Sequence, residues 1–415
     1  MINVWYPAAF RPRGLLPVGL LVTALIAGCG PGGQEAQAPA SPPAAALRVS
    51  VADGATGVDP LAAVTVGTTS GTLEDVTLTS ADGKRTVTGA RGEDGTWTSN
   101  GTLIPKTTYV VTASARNEAG EKTTSTTAFT TKAPAKEIGY LVTPDGWTVG
   151  AGMPVQVTFD APISSPEARA EIEKKMQISV TPAQDGAWGW ATHSALMYRP
   201  KAYWASGTAI KVSAPLAGTQ VAPGTYLMED NGATLTIGTQ RVLKVDLASH
   251  RMGLVENGKP VGTFPISGGR PGPRWETRGG TKVITEKHPN IVMDSSTFGV
   301  DKSDPEYYRT KVQWAMRITN SGEFLHSAPW SVGDQGYANV SHGCINLSPT
   351  NASWLFDRAQ IGDVVETTGS SIPLPPGDAG VPVWLYSWPQ WQARTAIQPS
   401  STATPTPTTA SAPAA

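Results

Sequence analysis

Cysteine is almost missing from this chain of 415 residues, which holds only Cys29 and Cys344. Charge is sparse too. Charged residues make up 16% and the net charge is −1, so the sequence carries no nucleic-acid footprint. Long apolar stretches with a helical period are nearly absent, which argues against a helical fold. Gly (44) and Pro (35) are abundant instead, with much Thr, Ser and Val. That composition predicts a mainly β protein, and the length predicts two to four domains.

The N-terminus places the chain outside the cytosol. Arg11 and Arg13 precede the apolar run "GLLPVGLLVTALIAGC", too short for a comfortable membrane span. The run ends Ile26-Ala27-Gly28-Cys29, the small-residue pattern of a lipobox. Residues 1–28 therefore read as a lipoprotein signal peptide, with Cys29 as the lipidated residue holding the protein on the outer face of the cell membrane. An ordinary secretory signal is the alternative. Residues 29–46, rich in Pro, Ala and Gly, read as a flexible tether.

With Cys29 committed, Cys344 has no disulfide partner. A lone thiol outside the reducing cytosol is a liability unless it has a role. The plain alternative is a buried structural cysteine.

The chain between tether and tail divides into modules. Residues 47–132 hold about seven short alternating runs with an Asp82-Gly83 hairpin cue, predicting an immunoglobulin-like sandwich whose core rests on packing alone. Residues 138–238 predict a second sandwich, with a short helix opened by Ser164-Ser165-Pro166. His193 falls in one of its strands and reads as a surface or packing residue. Residues 239–369 form a β-rich unit with an Asn257-Gly258 turn and a short helix in "TNASWLFDRAQ". The Trp-rich stretch 370–397 is expected to clasp this third unit, and 398–415 reads as a disordered Pro/Thr/Ala tail.

The chemistry gathers in the third unit. A nucleophilic cysteine needs a base, and a pair of donors for an oxyanion. His326 lies at the end of an apolar strand, eighteen residues before Cys344, and His342 lies two residues before it. Gly343 lets the backbone turn tightly, so that amide N–H groups can face a developing charge. A helix just after the cysteine would favour the thiolate. Two histidines near a cysteine also suggest zinc, but no second Cys or His pair stands at a fixed spacing. Nucleophile, metal ligand and inert core cysteine remain the three readings from the residues alone.

The stretch "HSAPWSVGDQGYANVSHGCINLS" resembles the active-site signature of the L,D-transpeptidases, whose catalytic domain is of YkuD type. The family pattern is a His, about fifteen residues, then Ser/Thr-His-Gly-Cys-X-Asn. Here His326 is followed by fourteen residues and then Ser341-His342-Gly343-Cys344-Ile345-Asn346, with no departure. "IVMDSSTFGV", "YRT", "NSGEFLHSAPWSV" and the Trp-rich end extend the match. The order of anchor, two sandwiches and catalytic unit resembles the mycobacterial, lipid-anchored members of the family.

The resemblance implies peptidoglycan as partner, with a donor tetrapeptide stem and the diaminopimelate of an acceptor stem, and it implies no cofactor and no metal. Cys344 would carry a thioester after D-Ala leaves, and transfer to the acceptor amine would give a 3→3 cross-link. His326 would be the base, oriented by the Ser327 carbonyl, with Gly343 and Cys344 N–H groups as the oxyanion hole. His342, Asn346, Tyr308, Met293, Ser321 and Gly322 would line the substrate path, and carbapenems would acylate Cys344. Bland readings stand beside these: Tyr308 and Met293 as core residues, Asn346 as a turn former, His342 as structural and Trp330 as packing. Hydrolysis by an L,D-carboxypeptidase and a non-catalytic wall-binding lipoprotein are the rival functions.

Overall fold

The computed structural model describes residues 42–397. The stretch expected to be a signal peptide, Cys29, most of the expected tether and residues 398–415 lie outside the described residues. Residues from Ala44 onward belong to one compact unit.

Nine strand segments between Ala46 and Thr131 form the first sandwich, in sheets of four and five strands. Ala46 already pairs with Ser70, so folding starts just inside the stretch expected to be tether. Thr108–Arg116 and Lys122–Thr131 alternate because one face is buried and the other wet. Val66, Leu78, Val111 and the stacked pair Tyr109–Phe129 fill the core. Each such fully buried side chain stabilises the fold by roughly 1.5–3 kcal/mol.

The second sandwich packs two four-stranded sheets around Trp204, Leu196 and Ile172. Helix α1 (Pro166–Lys175) begins where Ser165 accepts the Ala168 N–H at 3.1 Å, with Pro166 in the first turn. His193 sits in an exposed turn rather than in a strand.

The third unit has two sheets. One contains five strands, in which Arg241–Asp246 pairs in parallel with Val364–Thr368. Asn257 and Gly258 take φ of 49° and 76°, the left-handed geometry of a tight hairpin turn. The other sheet runs Glu286–Asp294, Arg309–Arg317, Phe324–Ser327, Ile345–Leu347. Leu243, Met316, Leu325, Ile345 and Leu347 join Leu355 of helix α2 (Pro349–Arg358) in the core.

The Trp-rich extension differs from expectation. It wedges between the second sandwich and the third unit instead of clasping the third unit alone. Trp391, in the short helix α3 (Trp388–Gln392), is fully buried in one cluster with Ala195 and Met197 of the second sandwich and Val283 of the third unit. Its indole N–H donates to Ala187 O at 3.0 Å, and Arg394 Nε donates to Trp190 O at 2.9 Å. The reason lies in the strand Ala195–Pro200, which is buried on both faces. Leu196 and Tyr198 face the sandwich core, which leaves Ala195 and Met197 as an apolar outer face needing a cover.

Candidate active site

The strand Phe324–Ser327 pairs in parallel with Ile345–Leu347, placing Leu325 beside Ile345 and His326 beside Asn346. Side chains alternate along strands. With Leu325, Ile345 and Leu347 in the core, His326, Cys344 and Asn346 turn to the opposite face. There they line one cavity of about 260 Å³, together with Met293, Tyr308, Trp330 and His342.

His326 is buried, and its Nδ1–H donates to the Ser327 carbonyl at 2.8 Å. A carbonyl only accepts, so the neutral ring carries its proton on Nδ1 and leaves Nε2 as an acceptor. Burial pushes the imidazole pKa down to about 4, against the partial support of the Ser327 bond. Burial pushes the Cys344 thiol up to about 12. The resting pair is therefore a neutral thiol and a neutral imidazole at neutral pH.

Two expectations change here. The helix after the cysteine does not stabilise a thiolate, because a three-residue strand, Ile345–Leu347, intervenes before α2 begins at Pro349. The Gly343 N–H is also not free for an oxyanion. It donates to Ser341 Oγ at 3.1 Å, and that hydroxyl donates to Cys344 O at 2.6 Å. Gly343 has φ of 118°, which suits glycine and lets the loop close in this way. The Cys344 N–H makes no hydrogen bond within the described residues.

The other site residues fall around this pair. His342 Nε2 lies 3.0 Å from Glu306 Oε2, and its ring meets Trp275 edge-on at 4.7 Å and Tyr308 at 4.9 Å. Arg270, 2.7 Å from the same Glu306 oxygen, and then His342 hold that carboxyl below the usual range. Tyr308 has its pKa raised, chiefly by burial. Asn346 is a strand residue rather than a turn former, and its Nδ2 donates to Ser331 Oγ at 3.0 Å. Met293, Tyr308, Ser321 and Gly322 share a neighbouring cavity of about 470 Å³. Trp330 is 58% exposed at the rim, so it is not the packing residue expected. Among the described residues no three His, Cys, Asp or Glu side chains gather as a metal site.

Sequence reading missed the groups behind the site. Trp275 and Glu306 seat His342. Lys282 and Arg278 flank Glu323, whose carboxylate meets Lys282 Nζ at 2.5 Å, and Asp378 pairs with the same Arg278. The one local signal was Glu323 itself, a carboxylate set directly before the apolar strand "FLHS".

Residues 240–367 match the L,D-transpeptidase catalytic domain, YkuD, and residues 55–220 match the bacterial Ig domain. L,D-transpeptidase 2 of Mycobacterium tuberculosis (strain CDC 1551 / Oshkosh) is 37% identical over 350 residues, covering 84% of each chain. L,D-transpeptidase 5 of Mycobacterium tuberculosis (strain ATCC 25618 / H37Rv) is 36% identical over 366 residues, 86% of this chain and 78% of that one. A solved L,D-transpeptidase in complex with imipenem is 34% identical, spanning 55% of this chain and 99% of its own, with a TM-score of 0.47. The fold and the two domain matches define a mainly β, Ig-bearing YkuD protein. The chain belongs to the L,D-transpeptidase family.

Proposed function

We propose that Cys344 is the acyl carrier of a peptidoglycan transpeptidation. His326 Nε2 takes the thiol proton as Sγ attacks the carbonyl between diaminopimelate and the terminal D-Ala of a tetrapeptide stem. The carbonyl oxygen becomes an oxyanion facing the Cys344 N–H. When the C–N bond breaks, His326 returns its proton to the departing D-Ala amine and a thioester remains. The side-chain amine of a second stem's diaminopimelate then attacks, giving its proton through His326 to the departing sulfur. One amide is exchanged for another, and enzyme and proton count are restored.

The observation that carries this reading is the Nδ1–H bond of His326 to Ser327, which leaves Nε2 as a base in the cavity shared with Cys344. A backbone carbonyl thus does the orienting that a carboxylate does in a Ser-His-Asp triad. His342, Asn346, Tyr308 and Met293 shape the donor's path, with Ser321 and Gly322 on the adjoining wall.

The two sandwiches serve as a spacer between a lipid anchor at Cys29 and the catalytic unit, so that a membrane-tethered enzyme reaches the wall. The order anchor, tether, sandwich, sandwich, catalytic unit supports this. Deleting residues 47–131 while keeping the anchor tests it, since unchanged cross-linking in cells would remove the spacer role. Incubation with imipenem tests the nucleophile. The expected result is one adduct, mapped to the Cys344 peptide; an unshifted intact mass would overturn the assignment.

A further inference from the structure

The Cys344 S–H points to the Gly322 carbonyl at 3.7 Å. The Phe324 backbone N–H, two residues on, favours the ionised form of the same sulfur. One short segment therefore sets the surroundings of the thiol, with the Gly322 carbonyl in direct contact. Gly322 has φ of 101°, so the direction of its carbonyl belongs to a turn that glycine permits. The turn closes on itself: Gly322 N–H donates to Thr319 O at 3.3 Å, and Glu323 N–H to Thr319 Oγ1 at 2.9 Å. These internal bonds give the turn its shape but leave open where it sits.

Two distant segments fix its place. Asp378, in the C-terminal extension, accepts the Ser321 N–H on Oδ1 at 2.6 Å and the Ser321 hydroxyl on Oδ2 at 2.7 Å. Its backbone carbonyl accepts the Asn320 N–H at 2.7 Å. Arg278 stands between the two carboxylates, with Nε 3.6 Å from Asp378 Oδ2 and Nη1 3.3 Å from Glu323 Oε1. Its backbone N–H donates to the same Glu323 oxygen at 2.9 Å. The other Glu323 oxygen meets Lys282 Nζ at 2.5 Å. Lys282 is 1% and Glu323 3% exposed, so the pair is held out of water. Buried ion pairs often stabilise a fold no better than apolar residues of the same size. What this one supplies is direction.

We infer that Asp378 is a positioning residue for the reactive thiol: through Ser321, and through Arg278 and Glu323, it fixes the Gly322–Phe324 segment against Cys344. The extension that docks the second sandwich thereby also sets the geometry of the nucleophile. Resting on Cys344 as the acylated group, this inference needs a test that can separate the two.

Imipenem acylation of the full chain is followed under saturating drug, with rates expressed per titratable Cys344 thiol. Cys344→Ala must abolish the adduct; if it does not, the nucleophile assignment fails and not the positioning. Asp378→Ala is expected to lower the saturated acylation rate about tenfold or more, since misplacement of a reacting group by about an ångström has that scale of effect. The fall in the saturated rate should exceed any change in the concentration for half-saturation, which reports the Ser321–Gly322 wall instead of the placing of the thiol. Asp378→Asn, which keeps one acceptor for the Ser321 N–H, should recover most of the rate. A purely structural Asp378 would reduce the amount of folded enzyme and leave the rate per thiol unchanged, and that result overturns the proposal. Should Asp378→Ala fail to fold, Asp378→Asn and Arg278→Gln decide on the same scale: both at the wild-type rate per thiol overturns it, and a slowed Arg278→Gln supports it.

Discussion

His326 Nδ1 lies 2.8 Å from the carbonyl oxygen of Ser327, its own neighbour along the strand. A side chain cannot be substituted to remove that acceptor, so the tautomer is protected by the backbone. The base is fixed in place by a strand that is itself held in the sheet.

This pairing makes a pH prediction. With the imidazole pushed down to about 4 by burial, His326 stays neutral and able to accept a proton through the mildly acidic range. The acylation rate should be level from roughly pH 5 to 8 and be halved only near the folded value of the base. A midpoint near the ordinary 6.5 would contradict the buried, neutral base.

The thiol gives a companion expectation. Burial raises Cys344 to about 12 from an ordinary 9.0, so thiolate ultraviolet absorbance should be lacking at pH 8 in the free enzyme. A Cys344-dependent thiolate signal at that pH would mean a preformed ion pair with His326 instead of proton transfer during attack.

Much of this site was legible because its parts are close in sequence. Ser341 to Asn346 is one short loop and strand, and His326 sits on the strand beside it, where alternation alone tells which residues share a face. The paired sandwich strands were legible from the same alternation. The ionic group was not. Arg278, Lys282, Glu323 and Asp378 come from three separated stretches, and each charge alone reads as a solvated surface residue. The extension was misplaced for a related reason: its aromatic content shows that it packs, while the partner surface depends on a strand buried on both faces.

Removing one partner of the buried pair tests its energetics. Glu323→Ala leaves Lys282 uncompensated and should cost about 3–5 kcal/mol. The double change Lys282→Met with Glu323→Leu should cost much less in denaturant unfolding. Equal losses in the two variants would show that the charges are not coupled.

Asp363 carries a pH dependence of stability. It is fully buried, and desolvation pushes its carboxyl from 3.8 up to about 7. Between those values the folded state holds a proton that the unfolded state has lost, so the protein loses stability as pH rises through this window. Asp363→Asn removes the titration. The stability of the variant relative to wild type should grow between pH 4 and pH 7 and level off above it. A difference independent of pH would contradict the raised carboxyl.

Trp391→Ala should leave a large cavity between the second sandwich and the third unit, at a cost of about 3–5 kcal/mol. Amide exchange should quicken both in Gly186–Thr192 and in Gly280–Val283, which flank the wedge. Faster exchange in one of them alone would mean that Trp391 belongs to that module only.

The most direct test of the central claim is a product mass. The purified protein and its Cys344→Ala variant are incubated with a disaccharide-tetrapeptide. The account predicts a dimer lacking one D-Ala with the wild-type protein and none with the variant. A dimer formed equally by Cys344→Ala would contradict it, and free tripeptide without dimer would replace transpeptidation with hydrolysis at the same thiol.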